Sequence, residues 1–399
     1  MKARDEILSL RRESVVSQEV KNIIIKCIKN AYDNSSFYGL GISLAATFDL
    51  MVSAAYYNSI SNRGWTYCCK SPQMMFYTYT NICPRCIGNG QFVYAKANKP
   101  ESGRIGQITT EILCLFFQYM LERKGARIDV FKCSEPIDVV VHDLDCDMFL
   151  LAEVKAAPLL TLPIVANCDR LTETIDGSLT FSGHMSIDNP NLSNTKMNLY
   201  IPRYGDVKEE IFPLELRGNI KYKYYDAIYN LISTDVRFYR HYLDFWYNSF
   251  MSYTNKDKQL SLYWLTNACG TPSPIPENWP KRKGSGYESV SDSKTSAGMD
   301  RTDDIKKGIY QVLKLGAEYK TKYENVRTAI ISNLPAIRHY DEYLLTIKDI
   351  VWTMSNEPYK TKLGELPFDA SIYNLFDGII SLTKSDIRDM WVKNMFSKI

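Results

Sequence analysis

The chain has 399 residues, 45% of them hydrophobic, with ten cysteines and a net charge of +3. That length buries a large core in one elaborated domain or two, and ten cysteines spread over it exclude a secreted disulfide framework. The near-neutral balance excludes a bulk polycation, so nucleic-acid contacts would have to come from local patches, offset by acids elsewhere.

The charged start Met1-Lys2-Ala3-Arg4-Asp5-Glu6 leads into no signal-type apolar stretch, and a cytoplasmic protein with reduced thiols is expected. Val15, Val16, Val20, Ile23, Ile24, Cys27, Ile28 and Ala31 predict an amphipathic helix over 14–32. A more apolar helix follows over 40–58. The run Gly39–Tyr57 contains Asp49 and several hydroxyl residues and reads as too short and too polar to span a membrane.

Cys68-Cys69 and Cys83-Pro84-Arg85-Cys86 come next, the second pair followed by Ile87-Gly88-Asn89-Gly90. A C-x-x-C turn followed by glycine has zinc-knuckle spacing, and structural Zn²⁺ takes a tetrahedron of soft ligands. Cys68, Cys69, Cys83 and Cys86 are the candidate set, with Cys83 and Cys86 the stronger half. A redox pair and plain buried cysteines are the competing readings. Ile105, Ile108, Ile112, Leu115 and Phe116 then recur at helical period over 104–121.

Glu135-Pro136-Ile137-Asp138 opens the apolar run Val139-Val140-Val141, and Met148-Phe149-Leu150-Leu151-Ala152 leads into Glu153-Val154-Lys155. The polar stretch between them, residues 142–147, predicts a hairpin of buried strands. A hairpin brings the start of its first strand beside the end of its second, so Asp138 should meet Glu153 and Lys155. Residues two apart on a strand share a face, which puts Glu153 and Lys155 together. Mg²⁺ prefers oxygen ligands and is often held by one or two carboxylates plus substrate phosphate. Asp138 and Glu153 would supply those oxygens, with the Val154 carbonyl as a further donor. Lys155 would orient the attacking water or stabilise charge on the phosphorane. An ordinary charged surface hairpin is the alternative.

Pro136, Asp138, Glu153 and Lys155 together resemble the signature of the PD-(D/E)XK nuclease superfamily, and within it the type II restriction endonucleases. Ile137 separates the proline from the aspartate, a departure that leaves the carboxylate in place. The resemblance covers residues 100–158. It implies an α/β fold, a mixed sheet flanked by helices, here with a helical N-terminal region, a Cys-rich zinc knuckle and a large insertion. It implies Mg²⁺-dependent, sequence-specific hydrolysis of double-stranded DNA, with a cognate DNA methyltransferase in the same system but not bound. A homodimer would cut both strands of a symmetric site most simply. Many members carry an extra glutamate on the helix before the hairpin, and Glu111 is the candidate for it.

Beyond the hairpin, residues 167–205 are polar and read as part of an insertion reaching over the DNA. Lys221-Tyr222-Lys223-Tyr224-Tyr225 and Arg237-Phe238-Tyr239-Arg240-His241-Tyr242 interleave cations with aromatics. Lys221, Lys223, Arg237 and Arg240 are therefore candidate DNA contacts, with amphipathic helices as the alternative. Gln259–Asn267 reads as a buried strand. A Pro- and Ser-rich loop over 271–303 carries the basic knot Lys281-Arg282-Lys283, which would track the DNA backbone. Asp303–Leu315 reads as a helix with an acidic cap. It resembles the helix that follows the catalytic strands in many of these nucleases, which makes Lys306, Lys307 and Gln311 candidate DNA contacts. Val326–Ser332 reads as a further core strand and 340–399 as mainly helical. No G-x-x-x-x-G-K-[ST] loop occurs, and His142, His184, His241 and His339 are scattered singly.

The expected segments are 1–62 (helical), 63–100 (zinc-binding), 101–162 (first half of the catalytic core), 163–258 (insertion for DNA recognition), 259–335 (second half of the core) and 336–399 (helical). Two other functions stay open. One is a repair or conflict-related nuclease acting on structured or modified DNA. The other is a non-catalytic, zinc-braced DNA-binding protein.

Overall fold

A computed structural model of the chain describes residues 3–58, 65–67, 73–76, 82–94, 102–167, 185–187, 192, 195–217, 222–267, 272–275, 297–300, 302–354 and 371–396. The chain divides into two compact units. The first comprises Met1–Ser17, Thr109–Ala156 and Gly298–Ile399, and the second Gln18–Ile108 and Ala157–Ala297.

The first unit is a mixed α/β body around a six-stranded sheet. Its strands are β1 (Ile128–Lys132), β2 (Val139–Asp143), β3 (Met148–Val154), β4 (Val326–Ser332), β5 (Gly378–Ser381) and β6 (Ser385–Ile387). They lie in the order β6-β5-β4-β3-β2-β1. β1, β2 and β3 form an antiparallel meander, β4 runs parallel to both β3 and β5, and β6 is antiparallel to β5. A helix, Ser102–Glu122, precedes β1, and another, Thr302–Leu315, precedes β4.

The central strands are buried on both faces, which is why they read as continuous apolar runs and not as alternation. The hairpin turn closes where Asp143 accepts the Asp145 N–H at 3.0 Å, an aspartate turn that sequence chemistry favours. Phe149 and Leu151 of β3 pack with Phe131, Val140, Leu315 and Tyr319 in one core cluster. Ile305 and Val312 of the Thr302–Leu315 helix pack with Ile330, Phe376 and Ile379 in another. Asp303 and Asp304 stand in that helix's first turn, where the dipole favours acids.

Beside these clusters lies a buried ion pair. The Lys320 ammonium donates to Asp377 Oδ2 at 2.7 Å and to the Asn374 carbonyl at 2.9 Å. Asp377 also accepts the Thr328 N–H at 2.8 Å and Asn374 Nδ2 at 3.2 Å.

Residues 340–399 depart from the helical expectation. The described part holds β5, β6 and a small antiparallel pair, Val351–Trp352 with Tyr373–Asn374. Its one α-helix among the described residues is Met390–Phe396. Gly378-Ile379-Ile380-Ser381 is too short for a helix and is taken up as a neighbour of β4.

The second unit has its own antiparallel six-stranded sheet. Its order is Met185–Ile187, Trp65–Tyr67, Gln73–Phe76, Ile164–Asn167, Met197–Ile201, Glu210–Pro213. Residues 163–258 share this unit with Gln18–Ile108, and Ile164–Asn167 pairs with Gln73–Phe76. Gln259–Asn267, expected as a strand, contains the short helix Ser261–Leu265. Leu262, Tyr263, Trp264 and Leu265 are all buried, and a short apolar run cannot tell a buried helix from a strand. The Leu40–Tyr57 helix has the length and composition of a membrane span, contrary to expectation, yet 78% of it is buried within the protein.

Asp49 on that helix is buried. Its Oδ2 accepts the N–H groups of Leu159 (3.0 Å) and Leu160 (2.9 Å) and Trp246 Nε1 (2.7 Å). Burial outweighs these donors and pushes the carboxyl up to about 8. A carboxyl raised in the folded state keeps its proton between about pH 4 and about pH 8, where the unfolded chain has lost it. Its contribution to stability is therefore full at low pH and falls by about 1.4 kcal/mol per pH unit across that window. Asp49→Asn keeps an acceptor oxygen and removes the titration. Urea unfolding of the variant at pH 5 and pH 8 is expected to show a smaller loss of stability with rising pH than the wild type shows. Equal losses would contradict a protonated Asp49.

Candidate active site

Asp138 sits immediately before β2. Its own carbonyl accepts the Cys133 N–H at 2.9 Å, so the β1–β2 ladder fixes its backbone. In the β2–β3 register Val139 faces Ala152, and one further step places Asp138 opposite Glu153. The Asp138 side chain reaches across. Its Oδ2 accepts the Val154 N–H at 2.9 Å. Glu153 and Lys155, two apart on the same face, form an ion pair through Oε1 and Nζ. Only 7% of the Glu153 side chain and 17% of the Lys155 side chain are exposed, so the pair is largely desolvated. The predicted meeting of Asp138, Glu153 and Lys155 is therefore present.

Electrostatics mark the same place. Burial raises the Glu153 carboxyl above its ordinary value, the neighbouring Asp138 charge raises it further, and Lys155 opposes both. Two acids held together in a desolvated site repel one another, which disfavours ionising both without a cation.

Glu111 is buried on the Ser102–Glu122 helix and has partners of its own. Its carboxylate accepts the Val15 and Val16 N–H groups at 3.1 Å and the Ser14 hydroxyl at 3.0 Å. Lys132 Nζ stands 3.8 Å away. Glu111 therefore ties down the N-terminal segment, a role that sequence reasoning missed because its donors lie 95 to 97 residues upstream. Glu111→Ala is expected to speed hydrogen exchange at the Val15 and Val16 amides by releasing them to water. Unchanged protection of those amides would refute the anchor.

Among the described residues no three of His, Cys, Asp and Glu gather as a metal-ligand group. Asp138 and Glu153 are a pair, which suits a cation that keeps waters and takes substrate oxygens. Cys83 and Cys86 are fully buried in the second unit, in an apolar cluster with Met75, Val165 and Tyr200. Cys83 precedes the short helix Pro84–Gly88, and Cys86 lies within it. Cys68 and Cys69 lie outside the described residues.

Of the candidate DNA contacts, Lys306 and Lys307 are exposed and Gln311 is half-buried on the Thr302–Leu315 helix. Lys306 Nζ lies 5.3 Å from the Tyr343 ring. In the second unit, Lys223 begins the Lys223–Thr234 helix. Arg237 and Arg240 are exposed on the Val236–Thr254 helix, Arg237 pairing with Asp235 and Arg240 lying over Phe37. The aromatics that alternate with them, Tyr224, Tyr225, Phe238, Tyr239 and Tyr242, are buried. Those stretches are amphipathic helices whose tyrosines belong to the core. Lys221, Lys281, Arg282 and Lys283 lie outside the described residues.

Comparison with family models, with curated proteins and with solved structures finds no match.

Proposed function

We propose that the chain is a Mg²⁺-dependent endonuclease of double-stranded DNA, of PD-(D/E)XK type, acting as a sequence-specific restriction enzyme. The observation that carries this reading is the convergence of Asp138, Glu153 and Lys155 at one end of the β2–β3 hairpin. Chain order supports it as well. The resemblance implies a helix before the hairpin and another after the catalytic strands, and in the first unit Ser102–Glu122 precedes the three antiparallel strands while Thr302–Leu315, after the intervening residues of the second unit, leads into β4 parallel to β3.

The donor set fits a hard divalent cation, because two adjacent carboxylates lack a counter-charge that Lys155 alone cannot fully supply. Asp138 and Glu153 would hold Mg²⁺, which when bound supplies Lewis-acid polarisation of the scissile phosphate. The Val154 N–H keeps the Asp138 carboxylate in place. Lys155 is paired with Glu153 in the free protein, and its ammonium would orient the attacking water and stabilise charge developing on the phosphoryl oxygens. Lys306, Lys307, Gln311, Lys223, Arg237 and Arg240 are the described groups that would contact DNA. A homodimer matches cleavage of both strands of a symmetric site. A structural Zn²⁺ on Cys83 and Cys86, with Cys68 and Cys69 as the further candidates, would brace the fold and take no part in the hydrolytic step.

Incubation of the purified protein with unmethylated phage DNA, with Mg²⁺ and with EDTA, tests the reading. Discrete fragments that need Mg²⁺ are expected, and sequencing their ends gives the recognised site. Mg²⁺-dependent cutting without defined ends would turn the reading to a nuclease of structured or modified DNA. Intact DNA in every lane, with gel-shift binding preserved, would overturn catalysis altogether.

A further inference from the structure

Lys155 lies one residue beyond the end of β3, where the strand's own ladder stops. Groups from β4 take over. The Lys155 N–H donates to the Ile331 carbonyl at 3.0 Å, and the Ser332 hydroxyl donates to the Lys155 carbonyl at 2.6 Å. Ser332 is fully buried, so its hydroxyl has no bulk water to bond instead. Its oxygen accepts the Leu334 N–H at 3.3 Å, which leaves the hydroxyl proton for Lys155.

The third side is the Thr302–Leu315 helix. Gly308 is buried within it, and a Cβ there would stand 3.3 Å from Ile330 Cδ1 and 3.9 Å from Lys155 Cγ. Ile330 is the register partner of Glu153. The missing side chain thus sets how closely the helix lies over the end of β3. Glycine inside a helix is less favourable than alanine, so its presence calls for a packing reason, and this close approach supplies one.

We propose that Ser332 and Gly308 are positioning residues that hold Lys155 in a clamp, the first through its carbonyl and the second by letting the helix close over Ile330 beside it. The proposal rests on the function proposed for Lys155, but the clamp can be read without any cleavage assay. Brief acylation of the native protein with an N-hydroxysuccinimide ester, followed by peptide mass spectrometry, reports how accessible each lysine is. Slow labelling is expected at Lys155 in the wild type. Ser332→Ala and Gly308→Ala are each expected to raise it several-fold, with no change at buried Lys320. Adding Ile330→Val to Gly308→Ala removes the methyl that the new Cβ meets and is expected to return Lys155 labelling to the wild-type level.

On DNA, Ser332→Ala is expected to lower kcat roughly tenfold to a hundredfold with KM little changed, as befits misplacement of a catalytic group. Unchanged labelling at Lys155 in both single variants overturns the clamp. So does a parallel rise at Lys155 and Lys320, which marks general loosening. Selective labelling with rescue, in a protein that cuts no DNA under any condition, upholds the clamp and removes the nuclease reading.

Discussion

Asp138→Asn is expected to leave DNA uncut under conditions in which the wild-type chain cleaves it, a loss of at least ~10²-fold in kcat. The substitution is nearly isosteric and keeps a side-chain oxygen to accept the Val154 N–H, so the hairpin end should hold its shape. What disappears is one of the two negative charges that would hold a divalent cation. The neighbouring acid responds as well: with the Asp138 charge gone, one of the causes that raise Glu153 is removed. Thermal unfolding is therefore expected to move little while cleavage is lost, and DNA binding measured with Ca²⁺ in place of Mg²⁺ should persist. Wild-type cleavage by Asp138→Asn would sink the metal assignment, and a parallel collapse of stability would assign Asp138 a structural role instead.

Asp377→Ala is expected to destabilise the first unit by about 3–5 kcal/mol, the usual cost of removing one partner from a buried ion pair. Burial already pulls the Lys320 ammonium below its ordinary value, with Asp377 the main opposing influence. Without that carboxylate, Lys320 keeps only the Asn374 carbonyl, and the Thr328 N–H at the start of β4 loses its acceptor. Total stabilities of domains are only about 5–15 kcal/mol, so this change should be plain in urea titration. Replacing both members by apolar residues, Lys320→Met with Asp377→Leu, should cost much less, because no lone buried charge remains. Equal losses for the single and the double variant would show that the backbone bonds to Asp377, and not the charge, hold this corner.

The hairpin was legible because both of its strands carry uninterrupted apolar runs, and their length alone sets Asp138 beside Glu153. The helix before it and the helix Thr302–Leu315 were legible from period and from the acidic first turn. Glu111 was visible as an acid on a helix, but its donors come from Ser14–Val16, and no local pattern announces a bond across that separation. The C-x-x-C spacing of Cys83 and Cys86 was equally plain, while Cys68 and Cys69, the rest of that set, lie outside the described residues. Cations alternating with tyrosines mark the exposed and buried sides of one helix, so the Val236–Thr254 stretch looks like a stacking surface only until burial is known. In the last sixty residues, short strands such as Gly378–Ser381 depend on a neighbour from elsewhere in the chain and leave little trace of their own.

The order in which the sheet is put together has a consequence during synthesis. Asp138, Glu153 and Lys155 emerge from the ribosome well before β4, the strand that lies beside β3 and bonds Lys155 on both sides of its peptide unit. At about 5–20 residues per second, nearly two hundred further residues keep that interval open for roughly ten seconds or more. Nascent chains, and chains cut short before Ser332, carry all three reactive side chains with the sheet unfinished. Under the proposed function, activity would arise only in finished molecules, and fragments from aborted translation would not cut DNA.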